Sequence, residues 1–126
     1  MTALQLDTHV VVWLYEPRLD KLAPVLARLE GRPLAISPIV LLELQYLHEI
    51  GRLTVPGAEI VGALEETAGL TIAQTDWSRV VRAALPLRWT RDPFDRLIVA
   101  QALADGATLL SADEHLRAHS TTAVWG

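Results

Sequence analysis

The sequence has no cysteine, one phenylalanine, and one lysine, Lys21, among its 11 basic residues. Without thiols there is neither a disulfide framework nor a thiolate zinc site, which fits a reducing cytosol. Long apolar runs are missing as well. Although 51% of the residues are hydrophobic, no stretch approaches the roughly 20 residues that a membrane-spanning helix needs. The start, Met-Thr-Ala-Leu-Gln-Leu-Asp, carries no cationic segment, so no secretory leader is expected and the chain reads as soluble and cytoplasmic, with no membrane partner. Positive charge is also in deficit. A net charge of -4 argues against holding nucleic acid by bulk cationic surface. It leaves room for divalent ions that cancel carboxylate charge locally, and arginine, which supplies all the other basic residues, favours forked phosphate contacts over point charges.

What is present is an alternation of short apolar strands and helical segments, with no repeat, low-complexity tract or linker. A single domain over residues 1–126 is the economical reading. Strands are expected at residues 3–6, 34–36, 70–73, 108–110 and 123–125. Helices are expected at 8–15, 19–29, 39–50, 56–67, 76–85, from 92 to Gly106, and 114–119. Pro24 lies awkwardly inside the second of these, so two shorter pieces would also serve. Ser37-Pro38 and Asp92-Pro93 each read as an N-cap followed by proline at the first helical position, and Asp76 as a further cap. Strands separated by helices predict a central, mostly parallel sheet in a three-layer α/β/α fold, whose ligands collect at the carboxyl edge of the strands.

Five acids stand out against this frame. Asp7 and Asp113 each close a strand at that edge. Asp92 and Asp95 open the helix that runs to Gly106, and Glu43 sits between Leu42 and Leu44 in a helix that is apolar on nearly every side. Taken singly, most have ordinary explanations. Asp7, Asp92 and Asp113 suit N-caps, Asp95 complements the helix dipole, and Glu43 can lie on a helix surface. Taken together these explanations need five coincidences, and a buried, ionised, unpaired Glu43 would cost several kcal/mol. A shared cation relieves all of them at once. Hard oxygen donors without cysteine or clustered histidine point to Mg²⁺ or Mn²⁺.

The order of strand-Asp7, helix-Glu43, Arg91-Asp92-Pro-Phe-Asp95-Arg-Leu-Ile-Val-Ala and Leu109-Leu-Ser-Ala-Asp113 resembles the PIN-domain ribonucleases, in particular the VapC-like toxins of toxin-antitoxin pairs, over essentially the whole chain. The resemblance implies a metal-dependent endoribonuclease that cleaves single-stranded RNA to 5′-phosphate and 3′-hydroxyl ends, with an antitoxin as partner. It implies a catalytic quartet of Asp7, Glu43, Asp95 and Asp113 around one or two ions, with Asp92 as an additional metal-binding acid. Asp95 precedes the Leu-Ile-Val-Ala run and therefore takes the motif position ahead of Asp92. Ser111 stands where the family often has threonine. On chemical grounds Asp7 and Asp95 are expected to hold the main ion, Glu43 and Asp113 to complete the cluster or orient water, and Thr8 and Ser111 to donate hydrogen bonds to the acids from behind.

Arg88, Trp89 and Arg91 precede the Asp92 helix and read as a substrate-binding loop, two guanidinium groups with a stacking surface, although Trp89 could equally pack in the core. Trp13 and Trp77 read as core, and His9 as a surface or capping residue. Leu42, Leu47, Ile50, Leu53, Val55, Ile60, Val61 and Leu64 carry more apolar surface than a small sheet can cover, which predicts a homodimer interface or an antitoxin groove. Competing readings fit less well. A signalling receiver-like Mg²⁺ domain wants an acidic pair after the first strand and a late lysine, and a haloacid-dehalogenase-type phosphatase wants Asp-x-Asp. Here the first strand ends in Asp7-Thr8-His9 and the only lysine is Lys21.

Overall fold

In the computed structural model, which describes residues 2–126, five strands form one all-parallel sheet in the order β3-β2-β1-β4-β5. These are β1 (Leu4–Leu6), β2 (Leu34–Ile36), β3 (Thr71–Ile72), β4 (Leu109–Leu110) and β5 (Ala123–Val124). Every residue of β1, β2 and β4 is buried. Successive side chains of a strand point to opposite faces, so burial of all of them requires cover on both sides. Helices provide that cover: α1 (Thr8–Tyr15), α2 (Leu19–Leu22), α3 (Leu26–Leu29), α4 (Pro38–Glu49), α5 (Gly57–Ala68), α6 (Trp77–Ala84), α7 (Pro93–Asp105) and α8 (Glu114–His119). A parallel order with 1 at the centre departs from the 2-1-3-4-5 order of receiver-type sheets, which removes the signalling runner-up.

Local chemistry explains most boundaries. Pro24 does break the second expected helix, into α2, a 3-10 turn at Ala23–Val25, and α3. Asp92 caps α7, its Oδ1 accepting the Phe94 N–H at 2.8 Å, with Pro93 at the first position and Gly106 closing the helix at φ 59°. Asp76 occupies the cap position of α6, yet its carboxylate accepts from Ser78 Oγ and not from a backbone N–H. The strands are one or two residues shorter than the apolar runs suggest at residues 3, 70, 73, 108 and 125, because pairing partners exist only where neighbouring strands are in register.

Gly57 lets α5 approach α4 closely. A Cβ there would lie 2.8 Å from the Leu41 carbonyl oxygen and 2.9 Å from the Gln45 nitrogen. That close packing absorbs much of the apolar surplus read from the sequence. Ile60, Val61 and Leu64 are buried, Leu47, Leu53 and Val55 are partly buried, and only Leu42 and Ile50 stay exposed. The two tryptophans taken as core are not fully buried either. Trp77, the first residue of α6, is exposed, and Trp13 is only half-buried.

Candidate functional site

Chain order reverses across the sheet at β1, with β2 on one side and β4 on the other, and such a reversal opens a crevice beyond the carboxyl ends of the strands. Asp7 leaves β1 there. Its N–H donates to the Leu110 carbonyl at 3.0 Å, its Oδ1 accepts the Thr8 N–H at 2.8 Å, and its Oδ2 accepts from Ser111 Oγ at 2.6 Å. Ser111, wholly buried at the end of β4, also accepts the Asp113 N–H at 3.2 Å. One hydroxyl thus couples the first and last acids of the set. His9 Nε2 accepts the Ala112 N–H at 2.9 Å, which leaves the proton of a neutral ring on Nδ1, facing Asp7 Oδ2 at 3.6 Å.

The remaining acids arrive from two helices. Glu43, half-buried in α4, finds its partner in the Thr8 hydroxyl, which donates to Glu43 Oε1. Asp92 comes from the N-cap of α7 and Asp95 from its first turn. Asp7, Glu43, Asp92, Asp95 and Asp113 all line one cavity of about 400 Å³, together with Thr8, His9, Val12, Trp13, Leu47, Arg52 and Leu53. Crowding shows in their protonation. Burial, then the charges of Asp92, Asp7, Asp113 and Glu43, push Asp95 up to about 7. Burial also raises Glu43, the Thr8 hydrogen bond opposes that rise, and the charges of Asp7 and Asp92 add to it. Four acids facing a fifth make anions unfavourable, and added positive charge reverses this.

The donor chemistry suits a hard divalent cation: carboxylate oxygens from four separate segments, mutually repelling, with Thr8 and Ser111 fixing two of them from behind. A preformed cage is not what the structure displays. Among the described residues, no three histidine, aspartate or glutamate side chains stand close enough together to hold an ion as they are. The fit therefore rests on donor type, shared cavity and raised carboxyl pKa values.

Other sequence expectations land elsewhere. Arg88, Trp89 and Arg91 are not among the residues lining the acidic cavity. Arg91 borders a separate apolar hollow with Val81, Leu85, Pro93 and Leu97, and Arg88 is exposed. Trp89 is half-buried against α8, stacked on His119 with ring centroids 5.4 Å apart. Besides the aliphatic Val12, Leu47 and Leu53, the cavity residues that the sequence did not point to as site residues are His9, Trp13 and Arg52. His9 and Trp13 share a helical face at four-residue spacing just after Asp7, which was the available signal; Arg52, in the turn after α4, carried none.

The PIN domain family profile matches residues 5–120 of this chain. The sequence is 34% identical over 122 residues to Ribonuclease VapC22 of Mycobacterium tuberculosis, covering 94% of this chain and 93% of that protein. The fold resembles the crystal structure of VapBC2 from Rickettsia felis bound to a DNA fragment from their promoter, with a TM-score of 0.67 at 20% identity, covering 99% of this chain and 100% of that one.

Proposed function

The chain belongs to the PIN domain family, and we propose on that premise that it is a metal-dependent endoribonuclease, the toxin of a toxin-antitoxin pair, acting on single-stranded RNA. The observation that carries the reading is the convergence of Asp7, Glu43, Asp92, Asp95 and Asp113 on one cavity with Asp95 raised to about 7. Asp7, Glu43, Asp95 and Asp113 would hold Mg²⁺ or Mn²⁺, with Asp92 at the edge of the set. A divalent cation in this position supplies charge that offsets the phosphodiester and makes water more acidic.

The protein's own residues do the rest. Ser111 holds Asp7 in one orientation, Thr8 does the same for Glu43, and His9 presents an N–H toward the outer oxygen of Asp7. Each fixed carboxylate loses less freedom when a cation and a phosphate arrive. Several carboxylates line the cavity, so the proton from the attacking water would pass to the cluster and is assigned to no single base. Single-domain organisation, a cytoplasmic setting, an antitoxin partner and a homodimer belong to the same proposal; no described helix is long and apolar enough to cross a membrane.

The test is cleavage of structured and unstructured RNAs by purified protein with Mg²⁺, Mn²⁺ or EDTA, beside Asp7→Asn and Asp95→Asn. Cleavage of unpaired regions that stops with EDTA and with either substitution is the expected result. Cleavage indifferent to both treatments rejects the metal mechanism.

A further inference from the structure

The acidic cavity has a neighbour on each side. It shares Glu43, Leu47, Arg52 and Asp92 with a second cavity of about 450 Å³, and His9, Trp13 and Asp113 with a third of about 310 Å³. The two outer cavities have no residue in common, so the acids occupy the middle of a continuous groove. Each end has an aromatic wall. On one side His9 and Trp13 lie with ring centroids 4.9 Å apart, and Lys21 Nζ is 5.9 Å from the Trp13 centroid. On the other, Tyr46 and Phe94 lie 5.8 Å apart, with Tyr46 46% exposed.

Arg52 joins the middle cavity to the Tyr46 end. It is exposed, and among the described residues no ion pair connects it to the acids beside it. An arginine that lines one cavity with five carboxylates and is paired with none of them has its donors free for an incoming anion. We propose that a single strand of RNA lies along this groove, with Arg52 gripping a backbone phosphate next to the scissile one, a base stacked on Trp13 at one end and a base on Tyr46 at the other. The assignment rests on the ribonuclease reading and adds the subsites that reading leaves open. Stacking of this kind needs bases free of a duplex and accepts any of the four, because every base has a π face. The groove thus selects for unpaired strands while the arginine sets the register.

Anisotropy of a labelled single-stranded RNA of about a dozen nucleotides, with Ca²⁺ in place of the catalytic ion, reads binding without turnover. Cleavage with Mg²⁺ is measured in parallel. Arg52→Ala should weaken binding and raise KM roughly tenfold with kcat within about twofold, and Arg52→Lys should recover part of the loss. Tyr46→Ala and Trp13→Leu should each weaken binding by about fivefold or more. Arg52 and Tyr46 are exposed, so their variants carry the test even if Trp13→Leu folds poorly. Wild-type protein that cleaves RNA while Arg52→Ala and Tyr46→Ala bind it normally overturns the groove and leaves the nuclease standing. Failure of the wild type to bind single-stranded RNA overturns the groove as well. Binding lost in the variants of a protein that never cleaves supports the groove and sinks the nuclease. If Tyr46→Ala instead changes the mass seen by light scattering, with RNA affinity intact, that end belongs to a second copy of the chain and the proposal fails there.

Discussion

Asp95 and Asp105 occupy opposite ends of one helix, α7, roughly 15 Å apart along its axis, and they titrate against the sense that the helix favours. A helix N-terminus stabilises an anion by about 0.3–1 kcal/mol and a C-terminus disfavours one. Yet Asp95, in the first turn, is pushed up to about 7, while Asp105, in the last, is held below the ordinary carboxylate range. Burial pushes both upward. What separates them is the company: four acids face Asp95, whereas Asp105 accepts from Gln5 Nε2 at 2.7 Å, from Gln101 Nε2 at 2.9 Å and from the Thr75 hydroxyl. Those neutral donors, together with the charge of Arg79, outweigh burial. An acid met by donors is part of the framework; an acid met by other acids is waiting for a cation.

The sharpest way to break this contrast is to neutralise each end in turn. Asp95→Asn should lower RNA cleavage by about a thousandfold or more, since it removes an oxygen from the site where charge must be balanced. Asp105→Asn should leave kcat within about twofold. Equal losses in a single-turnover assay would mean that α7 acts as one unit and that the two ends do not differ in role. A smaller effect is expected from Ser111→Ala, which touches no substrate. It frees Asp7 Oδ2 and leaves the Asp113 N–H without its partner, so divalent-ion affinity, measured by titration calorimetry, should fall roughly tenfold. Unchanged affinity would show that Asp7 is positioned by the backbone alone.

How far the same contrast could be read from sequence depends on the range of the interactions. The ends of α7 were legible, because Asp92-Pro93 and Gly106 are local signals that need no tertiary context. So was the gathering of Asp7 and Asp113 at one sheet edge, since strand ends in parallel sheets share a side. Glu43 announced itself by its apolar neighbours, although its partner, Thr8, lies 35 residues away and only folding identifies it. Asp105 passed unnoticed for the same reason. Its donors come from β1, from the loop at Thr75 and from Gln101, and nothing in the run Ala-Asp-Gly distinguishes a satisfied carboxylate from a solvated one. The place of the loop at Arg88, Trp89 and Arg91 was hidden for the converse reason. Proximity in sequence to Asp92 suggested proximity to the cavity, and the turn into α7 sends Arg91 toward α6.

The smallest predicted effect is on stability, and it tests the contrast without any substrate. In EDTA, Asp95 keeps its proton in the folded state up to about pH 7, whereas its unfolded counterpart loses it near pH 4. The folded state then binds the extra proton between those values, so stability falls as pH rises through that window. Asp95→Asn removes the titration. Its melting temperature relative to wild type should climb by about 3–5 °C from pH 5 to pH 8 once the half-exposed position is discounted for solvent screening. Saturating Mg²⁺ should restore the wild type and not the variant. Asp105 has the opposite sign. With its folded pKa lowered, its contribution is full above pH 4 or so and disappears as pH falls through the folded value. The deficit of Asp105→Asn should therefore be constant from pH 5 to pH 8 and shrink only in stronger acid. Parallel melting curves for wild type and Asp95→Asn across that range would mean that solvent already screens the acids from one another, and crowding would no longer explain why the cavity needs a cation.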